Sequence, residues 1–180
     1  MATTEQRSGT RAAPSGRLVR VAWDDERAVR LRSEMDDELR IRYAGRERTM
    51  SEAERIARTS GLLVVDPATL VTTLLAVDEA DEPVAHLALR RLTGALADSI
   101  EIKRLFIRRT SRGTGLSVRL MREAEHIARG EGARRIVLQT GNRQPDAVAL
   151  YEKLGYTRIP LYPPYLDLPN SHCFELPLAA

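Results

Sequence analysis

One short turn constrains this chain more than any other feature, because it must convert a strand into a helix with almost no side chain in the way. It reads Arg112-Gly113-Thr114-Gly115-Leu116-Ser117. The apolar run before it, Ser99 to Ile107, has the composition of a strand, and after it Leu116, Leu120, Ala124, Ile127 and Ala128 recur at helical spacing until Gly130 and Gly132. A glycine-rich turn at that junction leaves several backbone N–H groups unpaired and aimed at one point, at the positive end of a helix dipole. Such a cradle fits a phosphate. On its own the same pattern also serves as an ordinary tight connection.

A second signal follows one helix and one strand later: Ala147-Val148-Ala149-Leu150-Tyr151-Glu152-Lys153-Leu154-Gly155-Tyr156, a short helix carrying a tyrosine and ended by a glycine suited to the left-handed C′ position. Together the two motifs resemble the GNAT superfamily of acyl-CoA-dependent N-acetyltransferases. That family's Arg/Gln-x-x-Gly-x-Gly/Ala pattern, which binds the CoA pyrophosphate, reads here Arg112-x-x-Gly115-x-Ser117, with serine as a small departure. Its Ala-x-x-Leu-Tyr-x-Lys-x-Gly-Phe segment is matched with Tyr156 in place of phenylalanine. The resemblance covers roughly residues 18 to 178.

The 180 residues suffice for one domain with a substantial core. Residues 1–16 are polar and lack the apolar segment of a secretory signal, so they are expected to form a flexible tail ahead of a single domain over 17–180. An organelle transit peptide is the alternative for that tail. The balance of 28 basic and 25 acidic residues gives a net charge of +3, with arginine at every basic position except Lys103 and Lys153. So small an excess does not argue for nucleic acid. No apolar run approaches the ~18–20 residues that cross a bilayer, so no membrane partner is expected. A lone cysteine, Cys173, excludes an intrachain disulfide and fits a reducing, cytoplasmic setting. With three histidines and that one cysteine, no metal cluster is recognisable and no metal is expected.

Periodicity predicts a first strand at Leu18 to Trp23, then a helix with a stripe of Ala28, Leu31, Met35, Leu39 and Tyr43. Ser51 and Glu54 form a capping box for a second helix to about Ala57. Three strands follow in a meander, Leu70 to Val77, Val84 to Leu92 and Ser99 to Ile107. Beyond the glycine turn come a helix, a strand from Arg135 to Thr140, a helix opened by Pro145, and two last strands flanking the loop Pro160 to Asn170. The fold class is α/β (α+β): a mixed, largely antiparallel central sheet with helices on both faces, as the resemblance also implies.

Acyl transfer to an amine needs a neutral nucleophile, yet an alkylammonium of pKa ~10.4 is neutral in only about one molecule in a few thousand at pH 7. Glu101 is the candidate base, since it lies in the strand before the turn, where the family often has a catalytic glutamate. Burial between Ile100 and Ile102 would raise its pKa, whereas the alternative is a strand carboxylate paired with Lys103 or an arginine. Strand alternation places Glu101, Lys103, Leu105 and Ile107 on one face and Ile100, Ile102, Arg104 and Phe106 on the other. The resemblance implies that Tyr151 protonates the departing thiolate. It also implies that backbone N–H groups of Leu105, Phe106 and Ile107 meet the thioester oxygen, and that Arg112, Gly113, Thr114, Gly115, Leu116 and Ser117 hold the cofactor. Met35, Tyr43, Tyr162 and Tyr165 are candidates for the acceptor pocket, the last two on a proline-stiffened loop. The alternative for both loop rings is to pin that loop to the sheet.

The expected activity is transfer of acetyl from acetyl-CoA directly to a primary amine of a small molecule, such as an amino acid, a polyamine or an aminated antibiotic. A protein lysine or N-terminus is the enzymatic alternative, and a non-catalytic acyl-CoA sensor the alternative of another class. A homodimer stays open.

Overall fold

A computed structural model describes residues 16–45, 64–168 and 170–178. The expected tail, apart from Gly16, and the helix expected from Ser51 to Ala57 lie outside the described residues. Chain order runs β1 (Arg17–Val21), α1 (Glu26–Arg42), β2 (Leu70–Val77), β3 (Pro83–Arg91), β4 (Ser99–Ile107), α2 (Leu116–Gly130), β5 (Arg135–Gly141), α3 (Pro145–Lys153), β6 (Thr157–Ile159) and β7 (Ser171–Pro177). Among the described residues no helix is long and apolar enough to cross a membrane.

These strands make one mixed sheet in the order β1-β2-β3-β4-β5-β7-β6. Short turns keep β2, β3 and β4 antiparallel, β1 adds antiparallel to β2 after the long connection that includes α1, and the crossover through α2 makes β4 and β5 parallel. That central pairing is short. It joins Ser99 to Ile102 with Arg135 to Leu138. Beyond it β4 stays with β3, whereas β5 continues along β7 from Gln139 opposite Cys173 to Gly141 opposite Ser171. The two middle strands therefore part, and the cleft opens between them.

Helices cover both faces, each held by its own apolar stripe. Asp25 caps α1 by accepting from the Arg27 N–H at 2.9 Å, and Ala28 and Leu31 pack on Leu75, Val77 and Phe106. On the opposite face Leu120, Met121 and Ala124 of α2 meet Leu87, Leu89, Ile100 and Ile136. Truncating a fully buried side chain such as Leu120 to alanine costs about 2–5 kcal/mol.

Simple alternation fails in the second half of β4. The register shifts between His86 opposite Phe106 and Ala88 opposite Lys103, so β4 carries one extra residue there, and Arg104 takes a left-handed φ of 56°. An extra residue flips the phase of everything after it. Leu105 and Ile107 therefore pack with Ile100 and Ile102 on the α2 face, while Phe106 joins the α1 face that holds Glu101. The expected grouping of Leu105 and Ile107 with Glu101 is corrected accordingly.

Candidate active site

Two adjoining cavities occupy the cleft where β4 and β5 separate. One, of about 390 Å³, follows the glycine turn, and the other, of about 450 Å³, lies deeper between α1, β4, β5 and α3. Met35, Leu39, Leu105 and Gln144 belong to the walls of both, so the two spaces meet.

The first cavity is built chiefly from backbone. Gly113 and Gly115 take φ of 75° and 90°, values an L side chain resists, and Gly115 stands at the N-cap of α2 with no side chain capping the helix. The first-turn N–H groups are left without intrahelical partners. Arg112 donates from Nε to the Ile107 carbonyl at 2.9 Å and from Nη2 to Glu38 at 2.6 Å, which ties the turn to both β4 and α1. Arg108 is likewise engaged, with Glu34 at 2.9 and 2.6 Å. Leu105, Phe106, Ile107, Arg112, Gly113, Leu116 and Ser117 of the expected cofactor residues line this space. Thr114 and Gly115 shape the turn without lining it, the Thr114 hydroxyl closing it onto the Ser111 carbonyl at 2.8 Å.

The register fixes where the β4 backbone points. Arg108 N–H bonds the Val84 carbonyl at 2.9 Å and Ile107 stands opposite Ala85. Because bonded pairs alternate in an antiparallel ladder, Ile107 turns its N–H and C=O away from β3, toward the edge that β5 has left. Leu105 lies in the irregular stretch, where the register gives it no partner on β3.

The second cavity is made of side chains. Met35 and Tyr43 come from the α1 end, Lys103 from β4, Tyr151 from α3, and Asn170 and Ser171 from the approach to β7. Gly141 leaves room for Tyr43, whose hydroxyl would overlap a Cβ at that position and would have to move. Tyr151 is 5% exposed, packs its ring at a tilt against Phe174 and Tyr156, and forms no hydrogen bond among the described residues. Burial pushes its pKa well above the ordinary tyrosine value, so it keeps its proton.

Glu101, Tyr162 and Tyr165 come together in one buried network, the arrangement given above as the alternative for each: a strand carboxylate paired with an arginine, and two rings that pin the loop. Glu101 is fully buried beneath the cavity and is not part of its wall. Its Oε2 accepts from Arg90 Nε at 2.5 Å, and its Oε1 accepts from the hydroxyls of Tyr162 at 2.9 Å and Tyr165 at 2.6 Å. Arg90 lies directly opposite Glu101 across the β3–β4 ladder, so the ion pair follows from register. Neither tyrosine lines the acceptor cavity; both pin the Pro160 to Asn170 loop to the sheet. Tyr165 also accepts from Lys103 Nζ at 2.6 Å, which extends the network to the cavity surface.

His86 explains how the extra residue in β4 is held. It is buried, and its Nδ1 donates to the Arg104 carbonyl at 2.8 Å, a group the ladder has released. Since a carbonyl only accepts, Nε2 is the acceptor, and Arg32 Nη1 donates to it at 3.3 Å. Burial lowers the His86 pKa to about 4, keeping the ring neutral. Cys173 is buried and its thiol pushed up to about 11, so it is no nucleophile near neutrality. Among the described residues no three His, Cys, Asp or Glu side chains gather as metal donors.

A parted parallel pair at the centre of a mixed sheet, with a glycine turn at its mouth, defines the acetyltransferase class of fold. The Acetyltransferase (GNAT) family model matches residues 31–156, and the chain belongs to that family. Over 78 residues it is 37% identical to the IAA acetyltransferase of Azospirillum brasilense, covering 43% of this chain and 51% of that protein. The chain thus spans about half the length of that curated relative. In fold it is similar to a Klebsiella pneumoniae protein assigned as an acyl-CoA N-acyltransferase, with a TM-score of 0.71 at 24% identity, covering 91% and 98% of the two chains. The PaiA N-acetyltransferase of Thermoplasma acidophilum, solved in complex with coenzyme A, gives a TM-score of 0.63 at 16% identity, covering 91% of this chain and 99% of that one.

Proposed function

We propose that this protein is an enzyme that transfers the acetyl group of acetyl-CoA directly to a primary amine of a small molecule in the cytoplasm. One observation carries this reading: the cavity along the glycine turn opens into the cavity that holds Tyr151. A donor bound along the first has its reacting end where an acceptor enters through the second. Family membership and relatives solved with coenzyme A support the choice of donor.

The residues present fit that donor. Uncapped N–H groups at the start of α2 and the open Gly113 to Ser117 backbone suit a diphosphate. The N–H groups of Leu105 and Ile107, free of β3, are the donors offered to a thioester oxygen. Tyr151 is offered to the departing sulfur. A tyrosine of intrinsic pKa ~10 gives its proton to a thiolate of ~8.5 only uphill, and burial steepens this. Its hydroxyl therefore acts best as a hydrogen-bond donor while charge develops on the sulfur.

Glu101 serves in this reading as a positioning group. Its oxygens are taken by Arg90, Tyr162 and Tyr165, and it reaches the cavity only through Tyr165 and Lys103. The amine then sheds its proton to water in the open cleft.

Release of free CoA thiol in the presence of a panel of primary amines tests the activity. Acetyl-CoA should raise the melting temperature, and Gly115→Val should abolish that rise, because a side chain at φ 90° distorts the cradle. Stabilisation by acetyl-CoA without turnover of any amine would favour the sensor reading.

A further inference from the structure

The charged groups around the acceptor cavity do not balance. Asp36 is bound by Arg104, and Arg40 by Asp37 at 2.5 Å. Lys103 is different. Its ammonium has three N–H donors, of which one goes to the Tyr165 hydroxyl, and it forms no salt bridge among the described residues. Glu101 shares the network with Lys103 through Tyr165, but Arg90 already neutralises it at 2.5 Å and the tyrosines fill its other oxygen. Among the described residues the uncompensated charge of the cavity is therefore a single positive one, on its floor.

The surroundings of Lys103 hold it in that position. Its Nζ lies 5.0 Å from the centre of the Tyr165 ring, and the network behind that ring is buried. Continuing the β4–β5 register, in which Glu101 stands beside Val137, brings Gln139 level with Lys103 on the same face across the cleft. Gln139 lines the cavity too, donating from Nε2 to Ser171 Oγ at 2.8 Å and keeping its carboxamide otherwise unengaged among the described residues. A cation and an amide donor thus face one another across the entrance to the network.

Resting on the acetyl-transfer reading, we propose that the acceptor carries a carboxylate beside its amine, as a free amino acid does, and that Lys103 binds that carboxylate. The same inventory argues against a polyamine, which would bring further positive charge to a site that already has an unmatched cation. Burial, which lowers the Lys103 pKa to about 8, adds to the argument, because an anion placed beside it offsets the cost of keeping it charged.

The test compares L-amino acids with their primary amides, which differ in charge and hardly in size. The amide's amine is the less basic of the two, so intrinsic reactivity near neutrality favours the amide and any preference for the acid comes from the protein. The wild type should favour the acid by about 10- to 100-fold in kcat/KM, as a charged hydrogen bond would give. Lys103→Met should bring the ratio near one and leave the KM for acetyl-CoA unchanged, and Lys103→Arg should retain part of the preference. A wild type that treats acid and amide alike, or a Lys103→Met variant that keeps the preference, overturns the proposal while leaving acetyl transfer intact. Calorimetry with CoA present, using N-acetyl-amino acids and their amides as probes, reads the anchor without turnover. Acid binding that is lost in Lys103→Met supports the anchor even if no amine is acetylated, in which case it is the transfer reading that falls. Equal or absent binding of acid and amide in the wild type refutes the anchor.

Discussion

The two halves of the cleft are made of different material. At the donor end the groups that would touch a ligand are mostly backbone: the N–H groups of Leu105 and Ile107, the Gly113 to Ser117 turn, and the first turn of α2. At the acceptor end they are side chains from α1, β4, β5, α3 and the approach to β7, resting on a buried Glu101–Arg90–Tyr162–Tyr165 network. A backbone site needs only that nothing obstruct it, so it depends on a few glycines. A side-chain site needs every element in register, and its stability and its chemistry share the same residues.

Substitutions at the acceptor end should therefore cost folding as well as activity. Glu101→Ala leaves Arg90 buried without its counterion and is expected to lose about 3–5 kcal/mol of stability in urea unfolding. Pairing it with Arg90→Met should recover much of that loss, a non-additivity that a double-mutant cycle reads directly. If Glu101→Gln instead folds like wild type and loses only turnover, with activity returning as pH rises, Glu101 is the base and the division of the cleft fails at its most buried point.

Tyr151 is an acceptor-side residue whose hydroxyl makes no hydrogen bond among the described residues. Tyr151→Phe should lower kcat on the order of 10²-fold. Its unfolding free energy and its KM for acetyl-CoA should stay close to wild type, because the hydroxyl has no hydrogen bond among the described residues to lose. A large stability change would make the tyrosine structural and place it with Glu101.

The smallest effect concerns His86, which holds the extra residue of β4 through the Arg104 carbonyl. Burial holds His86 at about 4, below its usual 6.5, so between those values the unfolded chain binds a proton that the folded one does not. Stability should fall as pH drops through that window and level off, for this group, below pH 4. From pH 7 to pH 5 the loss should be about 2 kcal/mol, and His86→Gln should flatten that slope. An unchanged slope would mean that His86 is not what holds the Arg104 carbonyl.

The same contrast decides what could be read in the sequence. The glycine turn and the Leu150-Tyr151-x-Lys153 helix are local, so residues 112–117 and 147–156 announced themselves, and the strands and described helices fell within a few residues of the periodicity. What escaped depends on pairing between distant segments. The extra residue at Arg104 inverted the faces of Leu105, Phe106 and Ile107, and no composition marks it. Tyr162 and Tyr165 have the composition of pocket walls, but their hydroxyls are drawn down to a carboxylate that only the β3–β4 register reveals as buried. Lys103 was visible as a neighbour of Glu101 by alternation. Its place in the cavity wall required the parting of β4 from β5.

The central claim is that the donor is held by backbone N–H groups at one end of the cleft. Amide chemical shifts and hydrogen exchange, followed residue by residue during titration with acetyl-CoA, test it most directly. The account predicts the largest shifts and new protection at Leu105, Ile107 and Gly113 to Val118, with the amides of the Glu101 and Tyr165 network little changed. Saturable binding that leaves the Gly113 to Val118 amides untouched would contradict it.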